Sequence, residues 1–517
     1  MPTSLDSWAS QHSLPWMMMG DLNEILQPED KEGGRPVGET SSNAFADIVF
    51  DHGLLDLGFV GNPFTWSNRR PAPSNVRERL ERALYDSDWG LLFPRARVLH
   101  LSVHRSDCVP IMLDIEGEVA SWPKPFWFEA MWTLDDTSRN VVERAWGRQV
   151  NGSAAFRDSQ KLKSTKVGLR VWNQSHFGNV RNKLKALKGT LKHVQTLPMT
   201  YENVQLEHEL CHRIEEEEQR SFMHWFQKAR ELRLLDKDCN IHFFHLSTIV
   251  KRRFDSIEFL KVGGNWIQGT DMVAKEIVHF YKDLFTSEPT HLPEDLDGII
   301  QPIVTEADNE LLCTIPLEEE VREVVFSMGS YKAPGPDGFS LIFFKHDWDV
   351  IGEEVVESVQ AFFREGHLLR QLNHTFIRLI PKFQGAAEVQ HFRPLSLCNV
   401  SYKIITKILA NRLAPLLGKM VSPLQGAFVP GRWIAENIIL AKEVVHYMRH
   451  KRGEGSVVGF KVDMMKTYNR VDWRFLLKVL ECFGFSKKWC NLIHQCITTV
   501  KCWSMGPHSA FLVPHAV

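Results

Sequence analysis

Three rhythms of apolar residues follow one another along this chain, and the order in which they change limits its folds more than any other feature. From Met1 to about Pro123, short apolar runs alternate with the turn signals "GGRP", "GNPFTWSN" and "RRPAPSN". Such spacing predicts strands joined by loops in a mixed α/β layer. From about Lys124 to Glu288 long helical patterns such as "RSFMHWFQKARELRLL" take over. From about Thr305 onward helical patterns alternate with short strands, as in α+β or α/β folds. The expected architecture is α+β and multidomain, with boundaries at 1–120, 121–300 and 301–517.

Length and charge agree with that division. A chain of 517 residues, 44% hydrophobic and 24% charged, is globular and long enough for about three domains. A formal net charge of -2 supplies no global basic field, so a nucleic-acid partner has to be read from local patches. The nine cysteines are scattered without a CxxC pair, which argues against a disulfide framework or zinc ribbon and predicts a reducing compartment. No run of eighteen apolar residues occurs, and the first residues lack a basic segment followed by an apolar one. The expectation is an intracellular protein, nuclear or cytoplasmic, with no membrane partner. Between Arg157 and Lys192, ten Lys or Arg face one acidic residue, Asp158. That run reads either as solvated helix faces or as an arm tracking phosphates.

Chemistry concentrates in the third zone. In "VVGFKVDMMKTYNRVDW" an apolar strand ends on Asp463, five residues before Tyr468, and a helical pattern follows. A carboxylate fixed at a strand end suits a Mg2+-dependent phosphoryl-transfer site, although taken alone such an aspartate more often caps a turn. Upstream, "YKAPGPDGFS" reads as a rigid loop between helices, and "FIRLIPK" as a strand ending on Lys382. Eleven residues later "FRPLSL" presents Arg393. Two cations at the ends of facing strands would clamp a triphosphate, Lys382 as a point charge and Arg393 as a bidentate fork. In "NVSYKIITKILANRLAPLLGK" the spacing of Ile404, Ile405, Ile408, Leu409 and Leu413 predicts an amphipathic helix.

In this order, these motifs with "QGAFVPGRWIAENI" resemble the reverse transcriptase of non-LTR (LINE-type) retrotransposons of plant type, over about Pro316 to Val500. The resemblance implies right-hand polymerase fingers and the start of a palm. It implies that Asp463 is the first metal-binding carboxylate, that Tyr468 gates the incoming sugar, and that Lys382 and Arg393 contact nucleotide phosphates. It also implies Mg2+ as cofactor, with an RNA template, a DNA target and a deoxynucleotide triphosphate as partners. Gln425, Gly431 and Arg432 fall in the shared fingers-to-palm segment, with no chemistry assigned. This chain departs from the family in Thr467 for a small alanine and Asn469 for an aspartate. The family's aromatic-x-Asp-Asp hairpin has no counterpart here, since the only adjacent aspartates are Asp135 and Asp136, in a helix-start context.

The first zone carries its own candidates. In "MMMGDLNEIL" a short strand delivers Asp21 and Asn23, which alternation would put on one face, to bind metal or activate water and to hold a phosphate oxygen. With "DLGFVGNPFTWSNRR", "RERLERAL" and "VLHLSVHRSDCVPIML" the zone resembles the C-terminal half of the endonuclease/exonuclease/phosphatase-type domain of the same retrotransposons, a partial α/β sandwich. Asp21, Asn23 and Asp107 match the family's catalytic positions. Cys108 stands where the family has histidine and Glu81 where it has aspartate. A largely neutral thiol replaces that histidine poorly, so nicking is not expected. Between these zones "FWFEAMW" and "HFGNVRNKLKALKGTLK" resemble the helical connector of such polyproteins. Cys239, His242 and His245 suggest zinc only weakly, because no second ligand pair accompanies them. The expected protein is a relict of an RNA-directed DNA polymerase with a nicking endonuclease, inactive as this chain; the alternative is a non-catalytic nucleic-acid-binding protein.

Overall fold

The computed structural model describes residues 14–35, 44–101, 106–117, 125–230, 241–257, 259–286, 291–293, 295–383, 385–451, 457–460, 471–505 and 510–513. Asp463 and Tyr468 lie outside them. The first zone holds small antiparallel sheets and two short helices. Its strands are β1 (Met17–Asp21), β2 (Lys31–Glu32), β3 (Leu55–Asp56), β4 (Trp66–Ser67), β5 (Arg77–Glu78), β6 (Glu81–Tyr85), β7 (Arg97–His100) and β8 (Ile111–Asp114). The helices are α1 (Ala44–Asp51) and α2 (Ser87–Leu92).

Strand β6 lies between β1 and β3, and all five of its residues are buried. Because side chains alternate, Ala83 and Tyr85 pack with Leu57, Trp89 and Val98 on one face, and Leu84 packs with Leu22, Phe45 and Leu54 on the other. Just before and within it, buried Arg79 and Arg82 are neutralised by Asp30 and Asp56, with Arg82–Asp30 at 2.7 Å and Arg79–Asp56 at 2.8 Å. Burial pushes the Asp56 carboxyl up, but the Arg79 and Arg82 guanidinium groups outweigh it and hold the group below its usual range.

The second zone is mostly helical: α3 (Asp136–Trp146), α4 (Ala154–Trp172), α5 (Val180–Val194), α6 (Tyr201–Ala229), α7 (Ile241–Phe254) and α8 (Thr270–Phe285). Asp135 caps α3 by accepting the Thr137 N–H at 3.1 Å, so a helix start accounts for the adjacent aspartates. A hairpin, β9 (Phe259–Val262) and β10 (Asn265–Gln268), interrupts the helices, turning on Gly263 and Gly264, both at positive φ. It does not stand alone. Leu260 of β9 and Val273, Ile277 and Tyr281 of α8 share one core with Ile377, Leu379 and Phe392 of the third zone.

The third zone comprises α9 (Glu306–Cys313), α10 (Glu318–Ser327), α11 (Leu341–His346), α12 (Trp348–Glu365), β11 (His374–Pro381), β12 (Phe392–Cys398), α13 (Val400–Met420), α14 (Ile434–His450), α15 (Trp473–Cys482), α16 (Lys487–Thr498), β13 (Lys501–Met505) and β14 (Ala510–Val513). Its sheet runs β12-β11-β13-β14, with β11 antiparallel to β12 and parallel to β13. The stripe expected on α13 is real: Ile404, Ile405, Ile408 and Leu409 are buried and Leu413 is half-buried. The same core takes in Trp132, Val142, Leu162 and Trp172 from the second zone. One apolar interior therefore runs across the boundary expected at residue 300.

The loop "APGPDGF" makes that interior possible. A β-carbon on Gly335 would stand 2.4 Å from the Asn399 amide nitrogen, and one on Gly338, at φ +88°, would stand 2.1 Å from the Phe126 carbonyl oxygen. The glycines let the loop touch α13 on one side and residues 126–128 on the other. Phe128 donates its N–H to the Gly338 carbonyl at 2.8 Å, and Asn399 accepts the Asp337 N–H at 3.1 Å.

Candidate functional site

The clamp residues stand on the β11–β12 hairpin. In its register Ile380 faces Arg393 and Pro381 faces Phe392, and the Lys382 N–H continues the ladder to the His391 carbonyl. Lys382 follows Ile380 by two positions, so its side chain shares a face with that of Arg393. The opposite face carries Leu379, Pro381 and Phe392 into the core. Both cations are exposed. Lys382 donates to the Gln390 carbonyl at 2.8 Å, while Arg393 makes no ion pair with any described residue. This face thus offers two adjacent cations, the electrostatic requirement for holding a polyphosphate.

Behind the hairpin, the support is a set of buried polar contacts. The Asn399 amide donates to the Gln371 and Leu372 carbonyls just before β11 and accepts from the "APGPDGF" loop. Lys403 donates to the Ala333 carbonyl at 3.2 Å, and Lys166 of α4 donates to the Asp337 carbonyl at 3.2 Å. Asp158 of α4 is fully buried and accepts from Ser401 of α13 at 3.0 Å. Burial, against that hydrogen bond, pushes its carboxyl up to about 7, and burial pushes Asp337 up to about 6. Sequence reading missed this network. Its signal was the lone acid in a run of ten cations, and the structure divides that run. Arg157 and Lys161 pair with Glu357 and Glu354 of α12, and Lys188 with Glu218 of α6, whereas Arg181, Lys185 and Lys192 are exposed on α5.

In the first zone the fold brings three of the candidate carboxylates together. Asp21 faces Glu81 in the β1–β6 register, and a bridge between Trp66 and Cys108 adds the segment holding Asp107. Burial first, and then the negative charges of Glu81, Asp107 and Asp21, raise the Cys108 thiol above its ordinary value. The residue in the histidine's place is thus held neutral. Asn23 does not share the strand face expected of it, because β1 ends at Asp21. Asn23 adopts φ 53° and donates its N–H to Asp21 Oδ1 at 2.9 Å, so Asp21 caps a tight turn.

The connector histidines have other partners. His242 Nε2 lies 2.9 Å from Asp88, and the His245 ring, tilted by 31°, has its centroid 3.8 Å from that of Trp225, with burial lowering its pKa to about 4; Cys239 lies outside the described residues. Among the described residues no group of three or more His, Cys, Asp or Glu is placed to hold a metal ion. No described helix is long and apolar enough to cross a membrane.

Residues 380–513, which begin within β11, match the family model described as reverse transcriptase (RNA-dependent DNA polymerase). The Transposon TX1 uncharacterized 149 kDa protein of Xenopus laevis is 26% identical over 95% of this chain and 39% of its own length. The retrovirus-related Pol polyprotein from type-1 retrotransposable element R2 of Nasonia vitripennis is 28% identical over 31% of this chain and 15% of its own length. The chain thus spans well under half the length of these curated relatives. With two cations on the open face of a hairpin at the start of the matched region, residues 380–513 are similar to reverse transcriptases, and the chain is related to retrotransposon proteins.

Proposed function

We propose that this protein derives from the polyprotein of a plant-type LINE retrotransposon. In this reading it holds an endonuclease/exonuclease/phosphatase-like half domain over 1–120, a helical connector over 121–300, and fingers with the start of a palm over 301–517. The ancestral reaction is RNA-templated DNA synthesis primed at a nicked DNA target. Lys382 and Arg393 bind the triphosphate, Tyr468 supports the sugar, and Asp463 contributes to a Mg2+ site that neutralises phosphate charge. Two-metal chemistry needs further carboxylates, and the only adjacent aspartates in these 517 residues serve the start of α3. In this reading the clamp binds nucleotide, and polymerisation calls for carboxylates in addition to Asp463. What supports the reading above all is the open β11–β12 face with its two cations, inside the region similar to reverse transcriptases.

The test is titration of a labelled deoxynucleotide triphosphate with Mg2+ against wild type, Lys382→Ala, Arg393→Ala and Asp463→Asn. Two charge-assisted contacts of roughly 1.5–3 kcal/mol each imply a Kd on the order of millimolar. Loss of binding in either cation variant is the expected outcome, and equal affinity in all four proteins would refute the clamp.

A second reading, a nucleic-acid-binding protein without catalysis, is favoured by Arg181, Lys185 and Lys192 exposed on α5. It calls for RNA or DNA binding that weakens steeply with salt and with removal of these three charges.

A further inference from the structure

A cleft of about 410 Å3 opens where the three zones meet. Its walls are the loops before β4 and after α2, the C-terminal end of α7, the β9–β10 hairpin, and Pro381 and Phe392 from the core-facing side of the β11–β12 hairpin. Lys382 and Arg393 lie on the other side of that hairpin, so this cleft is separate from the clamp.

Arginines and aromatic rings dominate the lining. The one carboxylate in it, Asp56, is already taken by Arg79 and Arg82. Arg95 and Arg252 are exposed and make no ion pair with any described residue. Arg253 donates to the Tyr85 hydroxyl at 2.8 Å and the Phe93 carbonyl at 2.7 Å, which leaves its buried Nε without a partner. The cleft therefore has a net positive charge. Phe254, Trp266 and Phe383 remain 46%, 41% and 44% exposed in it, a large apolar area for rings that the adjoining core could have taken.

Cations that fix phosphate beside open π faces are the chemistry that holds an unpaired nucleotide, because every base has a face to stack and every backbone unit a charge. The volume suits one such unit and little more. We propose that this cleft binds a nucleotide, its base stacked on one of the lining rings Phe254, Trp266 and Phe383 and its phosphate held by Arg95 and Arg252. The unit is supplied either by a single-stranded RNA or DNA passing between the zones or by a free mononucleotide.

The experiment uses the full chain and a twelve-residue oligouridine carrying 4-thiouridine, irradiated and mapped by peptide mass spectrometry. Cross-links are expected in the peptides holding Phe254, Trp266 or Phe383. Arg95→Gln with Arg252→Gln should weaken oligonucleotide binding roughly tenfold and lower the salt slope by about 1.4. Trp266→Ala should lose the cross-link and Trp266→Phe keep it, while circular dichroism confirms that these surface variants fold. Lys382→Ala should leave the cross-link intact, so failure of the clamp and failure of the cleft give different results. Competition by excess uridine 5'-monophosphate assigns the site to a free nucleotide, and lack of competition assigns it to a strand. Cross-links confined to other peptides, or unchanged in both the double arginine variant and Trp266→Ala, would overturn the proposal.

Discussion

Asp158 and Cys108 show how far a single residue's neighbours decide its chemistry. Asp158 carries the only negative charge within a basic run, yet it contributes no surface complementarity: it is buried against Ser401, with its other oxygen unpartnered. Its folded carboxyl titrates near 7 and an unfolded one near 3.8. Between these values the folded state holds a proton that the unfolded state has lost, so this contribution to stability is full below about pH 4 and is lost as pH rises to 7. Over that window wild type should lose roughly 3–4 kcal/mol relative to Asp158→Asn, measured by urea unfolding at several pH values. A constant difference would mean that the carboxylate is charged when buried. Cys108 poses the converse case. Held neutral by burial and three nearby carboxylates, it cannot supply the proton affinity of an imidazole. The purified chain should not nick supercoiled DNA with Mg2+, and Cys108→His should not restore nicking, because Asn23 lies past the end of β1, in a turn capped by Asp21. Nicking abolished by Asp107→Ala would contradict this.

Among the elements, the β11–β12 hairpin divides its labour by alternation. Its outer face presents Lys382 and Arg393 while its inner face packs Leu379 and Phe392 against β9 and α8. The elements bracing the clamp come from residues 257–285, far upstream in sequence. Leu260, fully buried among Ile377, Leu379 and Ile277, is the test of that brace. Leu260→Ala should cost about 2–4 kcal/mol in thermal or urea unfolding and weaken triphosphate binding at the same time, because the hairpin loses its backing. Destabilisation with unchanged nucleotide affinity would show the clamp to be independent of the upstream hairpin. Elements with a strong local period were readable from sequence: α13 by its isoleucine stripe, β11 by "FIRLIP", the α3 start by its aspartates. The β9–β10 hairpin was not, since two four-residue strands around Gly263 and Gly264 leave too short a pattern inside a helical stretch.

For the whole molecule the question is how the first zone, with small sheets and strands as short as two residues, is covered. Helix α7 supplies the cover: Arg253 ties it to Tyr85 and Phe93, and its His242 meets Asp88 of α2. Removing one charged, half-buried anchor costs on the order of 1.5–3 kcal/mol. Arg253→Ala should therefore speed proteolytic cleavage within residues 14–117 about tenfold while residues 295–420 stay resistant, as followed by limited proteolysis and mass spectrometry. Equal cleavage in both proteins would show that the zone does not depend on α7. Local pattern sufficed for what depends on short range: the order of the zones, the amphipathic period of α13, the helix cap at Asp135, the cations at the ends of two strands, and motifs similar to those of reverse transcriptases. Tertiary structure alone decided which cations of the basic run are consumed by Glu354 and Glu357, that Asp158 is buried, that Asp21, Glu81 and Asp107 surround Cys108, and that one core joins residues 126–172 to α12 and α13. The physical reason is range. Periodicity and capping act over a few residues, whereas burial and ion pairing join groups some two hundred positions apart, whose encounter no local pattern encodes.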